Sequence, residues 1–294
     1  MVLIFVALST AGCTVAAASP SQPAAAESEF QNHSGSQPVP KKNSAATSSS
    51  GEDSGAENDL LQMANKSRQA TGAPPLRMDE TLRQAARAHA QLMITRDRLE
   101  HQYSGEPALL QRIARGGSLK MDYAGENLAS ASCGASANDA LMHSPPHRKN
   151  LLDRGFNVAG IAAVWSKGML YVVQDFAHEI PSYSAQEGDR VVGQAIDAMR
   201  QQAGLSELKQ LMPPKLNEAA CSLSRESRPN AHLLATAYDN RQIIAYTQSR
   251  PEILPQAALN MLRGPSVHQF AVGACYARNA AYPNGTYWVA ILLY

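Results

Sequence analysis

The sequence predicts an α+β fold in which helices pack on a small antiparallel sheet. Three observations carry this expectation. Between residues 57 and 152 apolar side chains recur at helical spacing, with stop signals between the runs. Residues 158–165 and 170–176 are β-rich runs separated by Ser-Lys-Gly-Met, a hairpin signal. Residues 185–294 then repeat a helix-then-hairpin order in fainter form.

Taken in order, residues 1–13 (Met-Val-Leu-Ile-Phe-Val-Ala-Leu-Ser-Thr-Ala-Gly-Cys) are apolar and then small, which reads as an export signal and not as fold. Thr-Ala-Gly-Cys resembles the cleavage box of bacterial lipoproteins, and Cys13 is the candidate lipidated residue; an ordinary export signal is the alternative. Residues 14–56 are rich in Ser, Ala, Gly, Pro, Gln and Asn, with almost no large apolar residues. Such a segment buries too little surface to offset its ordering entropy and reads as a disordered linker. As a flexible coil it would span about 35–40 Å.

Order is expected from Glu57. Leu60, Leu61, Ala64 and Arg68 lie at helical spacing, and Gly72 with Pro74-Pro75 stops that helix. Asp79 can cap the next one, along which Leu82, Ala85, Ala86, His89 and Met93 form an apolar stripe. His89 on that stripe reads as a core residue with satisfied nitrogens. His101 follows, at the helix end or in the next loop. Pro107 suits the start of a short helix through Ile113, ended by Gly116-Gly117. Residues 138–142 read as another short helix, and Pro145-Pro146 starts a last turn through His147 to Leu152.

A net charge of +1, with basic residues scattered along the chain, gives no footprint for nucleic acid. No apolar run reaches the ~18 residues of a membrane-spanning helix, so any membrane contact is expected through the lipid anchor only. Beyond Cys13 there are Cys133, Cys221 and Cys275. Cys221 and Cys275 lie in the same half of the chain and are the better disulfide pair in an oxidising compartment; two buried free thiols are the alternative.

Several motifs together resemble the CAP superfamily (SCP-like; cysteine-rich secretory, antigen 5 and pathogenesis-related 1 proteins), bacterial branch. They are Asn65-x-x-Arg68, Pro75-Leu-x-x-Asp79-x-x-Leu82-x-x-Ala85-Ala86, His101, Gly125-Glu126-Asn127-Leu-Ala, Ser144-Pro-Pro-His147-Arg148-Lys149-Asn150-Leu-Leu and Tyr171-Val-Val-Gln-Asp-Phe176. The resemblance covers about residues 60–177 and implies a three-layer α-β-α sandwich over 57–180. It also implies a cavity lined by two histidines and two acids, which in some members binds zinc or another divalent ion. Carried over by position, His101 and His147 are the histidines and candidate metal ligands, and Glu126 is the first acid. The second acid has no clear match. Asp139 is the available candidate, with His143 as a substitute ligand.

The residue chemistry agrees, because imidazole and carboxylate are zinc ligands and also suit acid–base work. A hydrogen-bonded network that fixes helices to sheet is the structural alternative. Arg148 is expected to support the fold, and Asn150 to cap or bridge backbone.

Residues 185–294 read as a second, degenerate CAP-like module. Arg200-Gln-Gln-Ala-Gly204 echoes Arg68-Gln-Ala-Thr-Gly72, and Pro283-Asn-Gly285 supplies a hairpin turn. His232 and His268 lack acidic neighbours, although His268 falls roughly where His147 would. Cys221 maps to a helix and Cys275 to the first hairpin strand.

The functional expectation is an exported, lipid-anchored or secreted protein. It would bind an extracytoplasmic ligand (a lipid or other small apolar molecule, a cell-wall component or a protein partner) through a His/Glu cleft. A metal- or His/Glu-assisted hydrolase is the alternative, although no Gly-x-Ser-x-Gly or His-Glu-x-x-His is present. A structural interaction module is the third reading.

Overall fold

The computed structural model describes residues 15–17, 37–38, 51–117, 119–226, 228–235, 237–238 and 242–294. The expected signal segment with Cys13, and most of residues 14–56, lie outside these. The chain divides into two compact units, the first Met1–Ser118 with Tyr123–His178, the second Leu119–Asp122 with Glu179–Tyr294.

In the first unit the described elements are β1 (Val15–Ala17), β2 (Gln37–Pro38), β3 (Gly51–Glu52), α1 (Ser54–Ala70), β4 (Arg77–Met78), α2 (Glu80–Arg96), β5 (Arg98–Leu99), α3 (Leu109–Gly116), β6 (Met121–Ala131), α4 (Gly134–His143), α5 (Pro145–Leu152), β7 (Val158–Ser166) and β8 (Met169–Glu179). The main sheet has the order β1-β6-β8-β7-β3, with β4 paired parallel to β7. The β7–β8 hairpin turns through Lys167 and Gly168, both at positive φ, as the Ser-Lys-Gly-Met signal anticipates. Two pieces of the expected linker are placed in strands. Val15–Ala17 pairs with Ala129–Ala131, and Gln37–Pro38 pairs with Arg98–Leu99.

The sheet is covered on both faces, and its strands alternate between two cores. One core joins Leu60, Ala64, Leu141 and Leu151 to Ala129, Ile161, Val172 and Phe176. The other joins Ala86, Ala90 and Met93 to Leu128, Ala162, Tyr171 and Val173. Helices α1, α4 and α5 thus cover one face and α2 the other, giving three layers.

The motif residues of α1 are architectural. Arg68 is fully buried and donates to the carbonyls of Pro74, Leu151, Asp153 and Phe156 at 2.7–2.9 Å. It thereby ties α1 to the turn after it and to the end of α5. Asn65 exchanges two hydrogen bonds with the backbone of Leu76. Asp79 caps α2 through the Leu82 amide, as expected. Gly160 lies under α2, where an added Cβ would fall within 3.0 Å of the Leu82 and Arg83 backbone.

The second unit runs α6 (Ala185–Gln202), β9 (Lys209–Leu211), α7 (Leu216–Ser222), a 3-10 turn (Leu223–Arg225), α8 (His232–Ala235), β10 (Gln242–Gln248), α9 (Gln256–Leu262), β11 (Gln269–Ala277) and β12 (Thr286–Leu293). Its sheet has the order β10-β12-β11-β9, and β9 is parallel to β11. Again there are two cores: Val192, Ile196 and Leu262 on one face, Leu216, Ala220 and Leu234 on the other. Cys221 on α7 and Cys275 on β11 form a disulfide, Cα–Cα 5.1 Å, so the free-thiol alternative is set aside. The β11–β12 connection is longer than a tight hairpin, with Pro283-Asn284-Gly285 at its end.

Candidate functional site

Three segments of different local structure meet at Glu126. It lies mid-strand in β6, in a sheet covered on both faces, so its carboxylate is fully buried. A buried carboxylate needs partners, since an uncompensated charge there is costly. Its partners include a histidine, an arginine and the Asp175 side chain. His101 Nδ1 lies 2.7 Å from Oε1, and Arg112 on α3 donates to Oε2. His89 Nε2 stands 3.8 Å from Oε2.

Around this pair the network continues. Arg112 Nη1 donates to the His101 carbonyl at 2.8 Å and to Glu106 Oε1 at 3.2 Å, and lies 3.1 Å from His89 Nδ1. His89 bridges Glu106 Oε1 at 2.7 Å and the Glu100 carbonyl at 2.9 Å. The expectation of a core histidine with both nitrogens satisfied therefore holds. Its partners, however, make it part of the charged cluster.

The electrostatics follow from burial and arrangement. Burial alone would raise the Glu126 pKa, but the Arg112 guanidinium, then His89 and the His101 contacts, hold it down at about 2. Glu106 is likewise lowered, against its own burial, by His89 and Arg112. Arg112 keeps a raised pKa, against its own burial, because Glu126, Asp175 and Glu106 surround it. Asp175 on β8 goes the other way. Burial and then the charge of Glu126 push its pKa well above the usual carboxylate range. Two buried acids near one guanidinium are thus driven apart, the pKa of Glu126 down and that of Asp175 up.

His147 is buried on α5 and is placed from behind. Its Nδ1 is 2.7 Å from Ser144 Oγ, and its carbonyl accepts from Asn127 Nδ2 at 3.0 Å. Asn150 donates to the Glu126 carbonyl at 3.1 Å and to Asn127 Oδ1 at 3.2 Å, the expected backbone bridge. Gly-Glu-Asn and His-x-x-Asn therefore interlock strand β6 with helix α5. Ser144 is used for this placement.

Several expectations are corrected. Asp139 and His143 do not enter the cluster. They sit on the outer face of α4, 74% and 79% exposed in their side chains, and pair with each other at 3.2 Å. The helix puts i and i+4 on one face, and that face points to solvent. The open cleft is also replaced. Glu126 and His147 are buried, and His101, 25% exposed in its side chain, is the member at the surface. The acids missing from the sequence reading are Glu106 and Asp175, together with the cation Arg112. In the second unit His268 is exposed at the entry to β11, and not on a helix as His147 is. Arg148 is exposed and Asn150 buried.

The expected metal does not fit these residues. Among the described residues no group of three His, Cys, Asp or Glu is placed to hold an ion. The carboxylates that would bind one are held by the Arg112 guanidinium, which already supplies the positive charge.

Comparison with known proteins places residues 61–176 under the family model described as CAP, cysteine-rich secretory protein family. The protein YkwD of Bacillus subtilis (strain 168) is 33% identical over 131 residues, covering 43% of this chain and 49% of YkwD. The chain thus spans about half the length of that relative. Among solved structures, an extracellular protein containing a SCP domain from Bacillus anthracis str. Ames is 26% identical, with TM-score 0.39 over 42% of this chain and 41% of its own. An outer surface protein from Borrelia burgdorferi is 19% identical, with TM-score 0.41 over 45% of this chain and 99% of its own.

Proposed function

We propose that residues 61–176, which match the CAP family model, form a CAP domain, and that the protein is an exported binding protein that recognises a cell-wall component over His101. The observation that carries this reading is the position of His101. It is the surface face of an otherwise buried charged network, held by Glu126 at 2.7 Å. The rim around it is polar, with Gln102 and Ser104 exposed and Glu100 half-buried. A lipid tail needs a concave apolar lining, whereas a polymer rich in hydroxyls and amides suits an imidazole in a polar rim. The Cys221–Cys275 disulfide fits an oxidising compartment outside the cytoplasm, and lipidation at Cys13 remains our reading of how the chain is retained there.

The second unit supports a functional role for the network. We read it as a degenerate CAP-like module, since it repeats the frame in detail. Arg200, like Arg68, donates through Nε to the carbonyl six residues on, and through Nη1 to the end of a later helix, here at Leu262. Gly273 meets the Leu216 backbone as Gly160 meets Leu82. Yet the buried polar residues described in this unit are Arg200, Asn284 and Thr286. On this reading the frame recurs without a His/Glu/Arg cluster among the described residues, which supports a role for the cluster beyond holding the frame.

The test is co-sedimentation of the mature protein with isolated cell-wall sacculi, with phospholipid vesicles as the comparison. His101→Ala should weaken binding to sacculi about tenfold, the scale of one lost charge-assisted contact, in a protein that stays folded but melts lower because Glu126 loses a partner. Equal sedimentation of wild type and variant would remove the reading. The 2.7 Å His101–Glu126 pair also has the form of an acid–base dyad, which favours the hydrolase alternative. Release of soluble wall fragments, abolished in Glu126→Gln, would establish that instead.

A further inference from the structure

We infer that Arg112 is a resident cation that excludes divalent metal from the His/Glu cluster. The inference goes beyond the binding reading and stands whether or not a ligand docks at His101.

It follows from what surrounds one guanidinium. Nη1 of Arg112 is 2.8 Å from the His101 carbonyl, 3.1 Å from His89 Nδ1 and 3.2 Å from Glu106 Oε1, while Nη2 meets Glu126 Oε2. Two carboxylate oxygens, one carbonyl oxygen and one imidazole nitrogen thus converge on one guanidinium. That donor set, oxygen with nitrogen, is the one a borderline divalent ion takes. The distances are those of N–H hydrogen bonds, about 1 Å longer than the 2.0–2.2 Å of zinc ligation. The donors therefore stand too far apart to hold an ion as they are, in keeping with the absence of a preformed metal group among the described residues.

Arg112 is itself buried, so it is anchored in place and not a surface side chain that could swing aside. A metal ion would have to displace a guanidinium held by two carboxylates into a low-dielectric interior, where an unpaired charge is strongly unfavourable. Removing the side chain reverses the balance. It leaves Glu106 and Glu126 without the guanidinium they share, with His89 and His101 as remaining basic contacts.

The experiment compares zinc uptake by the mature wild type and by Arg112→Ala, both in a His143→Ala background, because the exposed His143–Asp139 pair could take zinc adventitiously. Both proteins are dialysed against zinc and measured by elemental analysis and titration calorimetry. Wild type should retain under about 0.1 equivalent, and Arg112→Ala roughly one, lost again when Glu126→Gln is added. Arg112→Lys, which restores a cation, should stay metal-free. If Arg112→Ala fails to fold alone, zinc should restore its melting transition. Stoichiometric zinc in the wild type that disappears in His101→Ala would overturn the inference. So would a variant Arg112→Ala that folds yet takes up no zinc, or one that zinc does not rescue.

Discussion

Replacing Glu126 by Gln should change how stability depends on pH in a calculable way. The Glu126 pKa falls from an ordinary 4.5 to about 2 in the folded protein. At about 1.4 kcal/mol per pH unit, that depression corresponds to about 3 kcal/mol. The sign follows from the direction. A lowered acid contributes its full stabilisation above the unfolded pKa and loses it as pH falls through the folded one. Between about pH 4 and pH 2 wild type should therefore lose about 2 kcal/mol of this stability that Glu126→Gln, with no charge to neutralise, does not lose. Asp175 acts oppositely, since its raised pKa costs stability as pH rises above its ordinary 3.8. Below that pH it is protonated in both states and contributes nothing, so the lower part of the window isolates Glu126. The assay is urea unfolding at each pH, read by hydrogen exchange of β7 and β8 peptides, which reports the first unit alone. Parallel stability curves for the two proteins from about pH 4 to pH 2 would refute the assigned pairing of Glu126 with Arg112, His89 and His101.

Other outcomes follow from the frame. Gly160→Ala and Gly273→Ala should each destabilise their own unit by about 1–3 kcal/mol, because a Cβ there overlaps helix backbone that must move; unchanged melting of either variant would contradict the close approach. Opening the Cys221–Cys275 bridge, which closes a 54-residue separation, should cost the second unit about 4 kcal/mol and leave exchange in β7 and β8 unchanged. His143→Ala and Asp139→Ala should leave stability within about 0.5 kcal/mol of wild type, since both side chains are solvated, and should not alter sedimentation with sacculi.

The helices that carry the frame were readable because their signals are local. Asp79 announces α2, Gly72 with two prolines ends α1, and Lys167-Gly168 closes a hairpin. The network was only half readable, for a reason rooted in how charge is buried. Glu126, His101 and His147 stood out because the family motifs mark them. Arg112 lies on an eight-residue helix, where an arginine ordinarily means a solvated face, and Glu106 lies in a connection, where acids are common. Strand β6 was not predicted because Gly125, Glu126 and Asn127 interrupt the apolar run that marks a covered strand. That interruption was itself a signal. Ionisable residues inside strands covered on both faces, Glu126 in β6 and Asp175 in β8, imply a buried cation, and a search of the neighbouring short helix would have found Arg112. His143 and Asp139 misled because proximity in sequence to His147 does not place residues on the same side of a helix.

Gly160 has a consequence beyond stability. By admitting the backbone of α2 so close to β7, it sets the thickness of the layer between that helix and the sheet. Ala86 and Ala90 fill the thin space beside it. His89 projects from the same helix toward Glu126 on a strand further into the sheet, the two 3.8 Å apart. A residue with no side chain therefore sets the electrostatic reach of one that has a charge to share. Thickening that layer by one methyl group would pull an imidazole away from a carboxylate, and so detune the cluster from a distance without touching any member of it.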